Sequence, residues 1–196
     1  MPDLEGIVRA YLQALDMAAL GDEQGRDNYE WMMLELYDQV VRQHSCGSML
    51  EYLKRSPLPN ESFIRGRLGG EAARILEDIR RIDPEPSRSS SPLQQLRGRL
   101  QGLPRKLRSA VAKVLLGREG REMLAVARFR SSGEIHQWMY DRYSLKALFE
   151  KAGFSDVKRV GATESRIPNW TSYHLDTDPD GAVYKPDSLY MEASKR

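Results

Sequence analysis

The sequence predicts an α+β protein that is predominantly helical. Apolar residues recur every three or four positions through most of residues 4–130, whereas extended segments begin only after Gly133. The chain of 196 residues has one cysteine, Cys46, and no apolar run of the roughly 18 residues that a membrane-spanning helix needs. Its opening residues lack the basic start and apolar block of a signal peptide. We therefore expect a cytoplasmic protein with no disulfide framework, no cysteine-rich zinc site and no bound metal ion.

The first two helices are predicted from apolar stripes and capping residues. The opening segment carries one stripe at helical spacing, which Asp3 is placed to cap and Gly21 to end. We expect Asp27 or Asn28 to cap a second helix over residues 29–41. Apolar residues cover most of the circumference of this helix, which predicts burial on more than one side.

Two further helices follow. Ser45-Cys46-Gly47 is expected to stop the second helix, and a short third helix precedes Pro57. Asn60 is placed to cap a fourth helix that runs to about Ile82. The pair Gly69-Gly70 weakens this helix at its middle, because glycine has the lowest helix propensity after proline.

A linker and a basic segment come next. Residues 83–92 contain three prolines and four serines, which predicts a linker. Leucine and valine then recur at helical spacing over residues 93–116, which predicts an amphipathic helix. Residues 88–121 hold nine basic residues and one acidic residue, so this segment either offsets the acidic first helices or contacts an anionic surface. If it binds, we expect a peripheral membrane contact through residues 93–116 rather than nucleic acid, because aromatic stacking residues are absent.

The final third predicts one short helix and two strands. Asp141 or Ser144 is placed to cap a helix that Gly153 ends, and the phenylalanine that follows is expected to fold back onto this helix. Residues 156–162 predict a strand, and the alternating residues 189–193 predict a second, half-buried strand.

Several motifs in this region occur in a distinctive order. Residues 140–154 end in Glu-Lys-Ala-Gly-Phe, residues 156–162 read DVKRVGA, and residues 189–195 read LYMEASK. Together they resemble the end of class I S-adenosylmethionine-dependent methyltransferases of the type 11 group. In that family a similar Ala-Gly-Phe ends the last parallel helix, strand six follows, and strand seven returns antiparallel. The opening Pro2-Asp3-Leu4-Glu5 is similar to the Pro-Asp-Leu-Glu that follows strand five in a bacterial subgroup.

The resemblance implies three regions. Residues 1–21 would be the helix after strand five, residues 22–130 a helical insertion or lid containing the linker, and residues 131–196 the last helix and final two strands of an incomplete Rossmann-like sheet. In that family a glycine-rich turn after strand one and an acid after strand two hold the cofactor. No such turn follows a predicted strand here. We therefore predict a distal methyltransferase fragment that binds no S-adenosylmethionine alone and pairs with an amino-terminal half or with itself.

The candidate site residues are His136, Trp138 and Tyr140. The resemblance places them in the connection before the last parallel helix, which would face the carboxyl ends of the strands. His136 could take a proton from a hydroxyl acceptor, because histidine titrates near neutral pH. The alternative for His136 is a structural role, in which its ring nitrogens form hydrogen bonds with backbone groups. Trp138 and Tyr140 are candidates for binding the acceptor, with packing as their alternative.

Two classes of function remain open. The first is the methyltransferase fragment, whose helical insertion would cover the acceptor. The second is a non-catalytic helical binding module that uses residues 88–121 against an anionic membrane or a partner. Binding of the cofactor favours the first class, whereas salt-sensitive binding to anionic surfaces favours the second.

Overall fold

The computed structural model of this chain describes residues 1–81 and 117–195. Within these residues the fold is α+β and mostly helical, with a two-stranded antiparallel sheet. The chain divides into a larger unit of Met1–Arg42, Cys46–Arg81 and Ile135–Arg196 and a smaller unit of Gln43–Ser45 and Ile82–Glu134. The predicted α+β class is therefore confirmed.

Most of the secondary structure in residues 1–81 and 117–195 belongs to the larger unit. Its elements, with one helix of the smaller unit between them in sequence, are α1 (Leu4–Ala19), α2 (Glu23–Val41), α3 (Gly47–Leu53), α4 (Glu61–Leu68), α5 (Gly70–Arg81), α7 (Arg142–Lys151), β1 (Phe154–Arg159), a 3₁₀ helix (Trp170–Tyr173) and β2 (Met191–Lys195). The smaller unit contributes α6 (Gly117–Arg130), which has no buried residue. This helix confirms the helical pattern that precedes Gly133.

The start of α1 agrees with the prediction and the start of α2 does not. The Asp3 carboxylate accepts a hydrogen bond from the backbone N–H of Glu5 at 3.1 Å, as expected of a cap. Helix α2 begins before both predicted caps, because Asp22 accepts a hydrogen bond from the Gly25 N–H at 2.6 Å. Asn28 is instead a buried residue inside the helix. The prediction of a cap at Asp27 or Asn28 is therefore wrong.

The predicted fourth helix is two helices, α4 and α5. Gly69 separates them with a φ of +58°, in the left-handed region that favours glycine. A Cβ atom at this position would lie 2.5 Å from Pro186 Cδ, so the loop before β2 packs directly on the junction. Asn60 precedes α4 but does not cap it. Its amide instead donates to the Asp27 carbonyl at 2.8 Å and accepts from the Tyr52 hydroxyl at 3.1 Å.

The main core lies among α1 to α5. Trp31, Met32 and Ile64 are completely buried there, together with side chains from each of the five helices. Helix α2 is buried against both α1 and α3, as its apolar circumference predicts. The apolar residues of the helical part therefore form one continuous core.

The carboxy-terminal αβ part follows the predicted order. Asp141 and Ser144 form a reciprocal capping box at the start of α7. The Phe154 ring packs edge-on against Phe149 with ring centres 5.5 Å apart, which confirms the predicted contact after Gly153. Strands β1 and β2 pair antiparallel, and a bulge interrupts their register.

The opening residues pair with the segment that leads into β2. The Leu189 N–H donates to the Met1 carbonyl at 2.7 Å, and the Asp3 N–H donates to the Asp187 carbonyl at 3.0 Å. Pro2 and Ser188 form the antiparallel bridge between these two bonds. On the other side, the Leu4 N–H donates to the Tyr140 carbonyl at 3.0 Å. Three distant parts of the chain therefore meet at the amino end of α1.

Several predictions lie outside the described residues. These are the linker 83–92, the amphipathic helix 93–116 and most of the basic segment 88–121. The predicted membrane contact and the alternative binding module therefore stay predictions. Within residues 1–81 and 117–195, no helix combines the length and the apolar character needed to cross a membrane.

Candidate functional site

A cavity of about 310 Å³ in the larger unit is the candidate functional site. It lies where α2, α3, α4 and α5 face Pro2, the connection before α7 and the loop before β2. One wall is apolar and the remainder is polar. The apolar side chains are Pro2, Met49, Leu50, Leu53, Leu68 and Ile75, and the polar ones are Gln39, Arg42, Cys46, Glu71, His136, Lys185 and Asp187.

Helix α3 supplies much of the apolar wall, and Asp38 of α2 positions it. The buried Asp38 carboxylate accepts hydrogen bonds from the N–H groups of Ser48 at 2.7 Å and Met49 at 3.5 Å, so it caps α3 from a neighbouring helix. Gly47 has a φ of +54°, and a Cβ atom there would overlap the Asp38 carboxylate. Glycine at this position therefore lets α3 begin close enough to α2 to form the wall.

His136 lines the cavity and remains exposed to solvent. Its backbone N–H donates to the Gln39 carbonyl of α2 at 3.2 Å. Its ring nitrogens have no hydrogen-bond partner among the described residues. Partial loss of hydration lowers the pKa of the His136 imidazole, and the positive charges of Arg42, Lys185 and the amino terminus lower it further. His136 is therefore a neutral imidazole near pH 7, with a ring available to a ligand.

Asp187 is the most buried charged group in the cavity lining. Its side chain belongs to a residue that is only 8% exposed, and Oδ1 has no hydrogen-bond partner among the described residues. Burial raises the pKa of the Asp187 carboxyl; the cations of Lys185 and Arg67 oppose this rise, and the carboxylate of Glu35 adds to it. An unpaired buried carboxyl costs free energy and needs a donor.

Two ion pairs surround Asp187 without bonding to it. Lys185 Nζ lies 2.8 Å from Glu71 Oε2, and both residues line the cavity. Glu35 is buried and is not among the lining residues; it accepts from Arg67 at 2.6 Å and from the Trp31 indole N–H at 2.6 Å. Each of these cations already has a carboxylate partner. The Asp187 carboxyl therefore stays unpaired although positive charge is near.

The structure separates the three site residues predicted from the sequence. His136 lines the cavity, whereas Trp138 and Tyr140 are not among its lining residues. Trp138 is 69% exposed. Tyr140 is half-buried and uses its backbone carbonyl to accept from the Leu4 N–H. The structural alternative considered for the His136 ring, hydrogen bonds to backbone groups, does not occur within the described residues.

Sequence reasoning missed Lys185 and Asp187. Both belong to the short sequence Lys-Pro-Asp just before the last predicted strand. They reach the cavity through the backbone pairing of residues 1–3 with residues 187–189, which links distant parts of the chain. Patterns among neighbouring residues do not encode such a long-range pairing.

The described residues do not fit a cofactor or metal site by themselves. Neither β1 nor β2 is followed by a glycine-rich turn and a helix, the arrangement that brings backbone close to a nucleotide-like cofactor. No group of three or more histidine, cysteine or acidic side chains within residues 1–81 and 117–195 could hold a metal ion. We derive no chemical step through S-adenosylmethionine from these residues.

Comparisons of the chain with protein-family models, with curated proteins and with solved structures found no match.

Proposed function

We propose that this chain is the distal, acceptor-side part of a class I S-adenosylmethionine-dependent methyltransferase. The proposal combines the sequence resemblance with one structural observation. Pro2, His136 and Asp187 come from the three segments that the resemblance associates with one edge of the sheet, and all three line one cavity. In doubly wound folds, ligands bind at the edge formed by the carboxyl ends of the strands.

The pairing of the opening residues supports this proposal. Residues 1–3 run antiparallel beside residues 187–189, and β2 runs antiparallel beside β1. The resemblance places the opening residues directly after strand five, and it assigns β1 and β2 to strands six and seven. A returning last segment that pairs with both the opening residues and β1 is compatible with that assignment.

Under this proposal, the cavity holds the methyl acceptor and another segment holds the cofactor. The glycine-rich turn and the ribose-binding acid would be supplied by an amino-terminal half with strands one to five. His136 would accept the proton of the acceptor, since its ring is neutral and has no hydrogen-bond partner among the described residues.

The test is reconstitution of cofactor binding. We would titrate the 196-residue chain with S-adenosylmethionine by calorimetry, alone and after co-expression with the amino-terminal half of a bacterial methyltransferase of the subgroup with the Pro-Asp-Leu-Glu motif. We expect no binding to the chain alone and binding by a co-purified pair.

Micromolar binding by the chain alone would contradict the proposal, because the cofactor site would then lie in these residues. A pair that fails to form, tested with several such amino-terminal halves, would also contradict it. The matched control is the chain with Leu189→Asp. This change puts a charge at the backbone pairing of the opening residues, so it should abolish the pair.

A further inference from the structure

The size of the cavity and its apolar lining residues favour a ligand with an apolar body. Its apolar wall offers methionine, leucine and isoleucine side chains, and its volume of about 310 Å³ is close to twice the roughly 150 Å³ of an apolar cavity that holds one benzene ring. The apolar part of a ligand that fills it is therefore about two fused rings in size.

Two acceptor groups in the residues that line the cavity have no donor among the described residues. Asp187 is more than nine-tenths buried and its Oδ1 has no hydrogen-bond partner there. His136 lines the same cavity, and its ring nitrogens have no hydrogen-bond partner among those residues. A buried acceptor of this kind favours a ligand that donates a hydrogen bond.

The charges around these acceptors disfavour an ionised ligand. An anion would approach the carboxylates of Asp187 and Glu71, and a cation would approach Arg42 and Lys185. Lys185 and Glu71 already neutralise each other at 2.8 Å. A neutral hydroxyl group can donate a hydrogen bond and is repelled neither by the carboxylates nor by the cations.

We infer that the cavity binds a neutral, hydroxyl-bearing compound with an apolar body of about two rings, and that its hydroxyl donates to the Asp187 carboxyl. The inference names the acceptor class of the proposed function: the hydroxyl donates to Asp187 in the bound ligand, and during methyl transfer its proton would pass to His136. It rests on the proposed function only for this fate of the ligand. Binding itself needs no cofactor, so the two can fail separately.

The experiment compares probes of one shape. We would measure binding of 2-naphthol, naphthalene, 2-naphthoate and 2-naphthylmethylammonium to the 196-residue chain at pH 7. We expect 2-naphthol to bind with a Kd on the order of 100 µM. Naphthalene should bind about tenfold more weakly, because it lacks the hydrogen bond to a buried carboxyl. The two charged probes should bind at least as weakly as naphthalene.

Substitutions of Asp187 test where the hydroxyl group of 2-naphthol binds. In Asp187→Leu the preference for 2-naphthol over naphthalene should disappear, and in Asp187→Asn it should shrink. Asp180→Asn, in the exposed turn of the same loop, is the matched control and should keep the full preference. If Asp187→Leu fails to fold, Asp187→Asn and the unmodified chain still decide the matter. In the unmodified chain, 2-naphthol should shift the ring resonances of His136 and leave those of the exposed His174 unchanged.

Three outcomes would overturn the inference. They are equal binding of naphthalene and 2-naphthol, tighter binding of either charged probe, and a preference for 2-naphthol that survives Asp187→Leu. Binding of 2-naphthol together with failed cofactor reconstitution would keep the inference and reject the proposed function. The reverse result would reject the inference alone.

Discussion

The helical part, α1 to α5, and the αβ part, residues 135–195 with α7, β1 and β2, bury their apolar residues differently. The helices enclose a continuous core in which Trp31, Met32 and Ile64 have no exposed surface. In the αβ part only scattered residues such as Leu145 and Leu189 are buried, while Leu148 of α7 is 45% exposed. A two-stranded sheet is marginally stable unless another element covers it. The apolar burial that stabilises the fold therefore lies mainly in the helical part. The αβ part contributes mainly by positioning residues of the cavity.

Both parts also hold charges, but in different surroundings. In the helical part, Glu35 and Arg67 form a pair whose carboxylate is buried. In the αβ part, Arg166 and Asp156 pair at 2.8 Å with both side chains exposed. Removing a partner from a buried pair leaves an uncompensated charge, whereas exposed pairs contribute little.

The largest expected effect therefore comes from Arg67→Met. It should destabilise the chain by about 3–5 kcal/mol, because Glu35 would keep only the Trp31 indole as a donor. Urea unfolding followed by circular dichroism measures this change. Arg166→Met is the control and should cost about 0.5 kcal/mol or less. Equal losses of unfolding free energy in Arg67→Met and Arg166→Met would contradict the distinction between a buried ion pair in the helical part and an exposed one in the αβ part.

The second prediction compares two apolar truncations. Met32→Ala should cost about 2–5 kcal/mol, because it empties space in a closed core. Leu148→Ala should cost about 1 kcal/mol or less, because nearly half of this residue is already exposed. Thermal unfolding of both variants checks this pair. A loss at Leu148 as large as that at Met32 would mean that α7 is packed in solution, for example by self-association.

The third prediction concerns Asp187, which lies where the two parts meet at the cavity. Its pKa is raised in the folded chain, so the ionised form is disfavoured and stability decreases as the pH rises through that pKa. Asp187→Asn should therefore stabilise the chain by about 1 kcal/mol at pH 7, because it removes an unpaired buried charge.

The gain from Asp187→Asn should vanish as the pH falls below the ordinary aspartate value of about 4, where the carboxyl is protonated in both states. Unfolding midpoints of the unmodified chain and of Asp187→Asn, measured from pH 3.5 to pH 8, test this dependence of stability on pH. A gain that is independent of pH, or a loss at pH 7, would show that the Asp187 carboxylate has a partner in solution.

The smallest effect concerns Tyr52 in the helical core. Burial raises the pKa of Tyr52 to about 12, with the neighbouring carboxylates of Glu30 and Asp27 as further causes. The stability that the neutral phenol contributes is present below pH 10 and is lost as the pH rises through about 12. Tyr52→Phe should cost on the order of 1 kcal/mol at pH 8, and less at higher pH.

Absorbance at 295 nm during a pH titration checks the Tyr52 prediction. The part of the signal that is missing in Tyr52→Phe should appear only as the pH approaches about 12. If the signal lost in Tyr52→Phe instead lies near the ordinary tyrosine value of 10.0, a closed core around Tyr52 would be contradicted.

Within the described residues, the sequence by itself determined which segments are helical and which are extended, because these depend on neighbours in the chain. It determined their ends less well, since the strands expected over 156–162 and 189–193 lie at Phe154–Arg159 and Met191–Lys195. The Asp3 and Asp141 caps and the contact of Phe154 are local and were predicted. The start of α2 was missed because Asp22 and Asn28 compete as caps, and burial of Asn28 is decided by packing.

Only the tertiary structure decided the break at Gly69 and the composition of the cavity. Gly69 ends α4 because a loop more than 100 residues later packs against it, and no local pattern contains that contact. In the same way, His136 was a candidate because of the family resemblance, whereas Asp187 entered the cavity lining through the pairing of the opening residues with the segment before β2. Periodicity and capping act over one or two turns of chain, but a cavity depends on which distant surfaces meet.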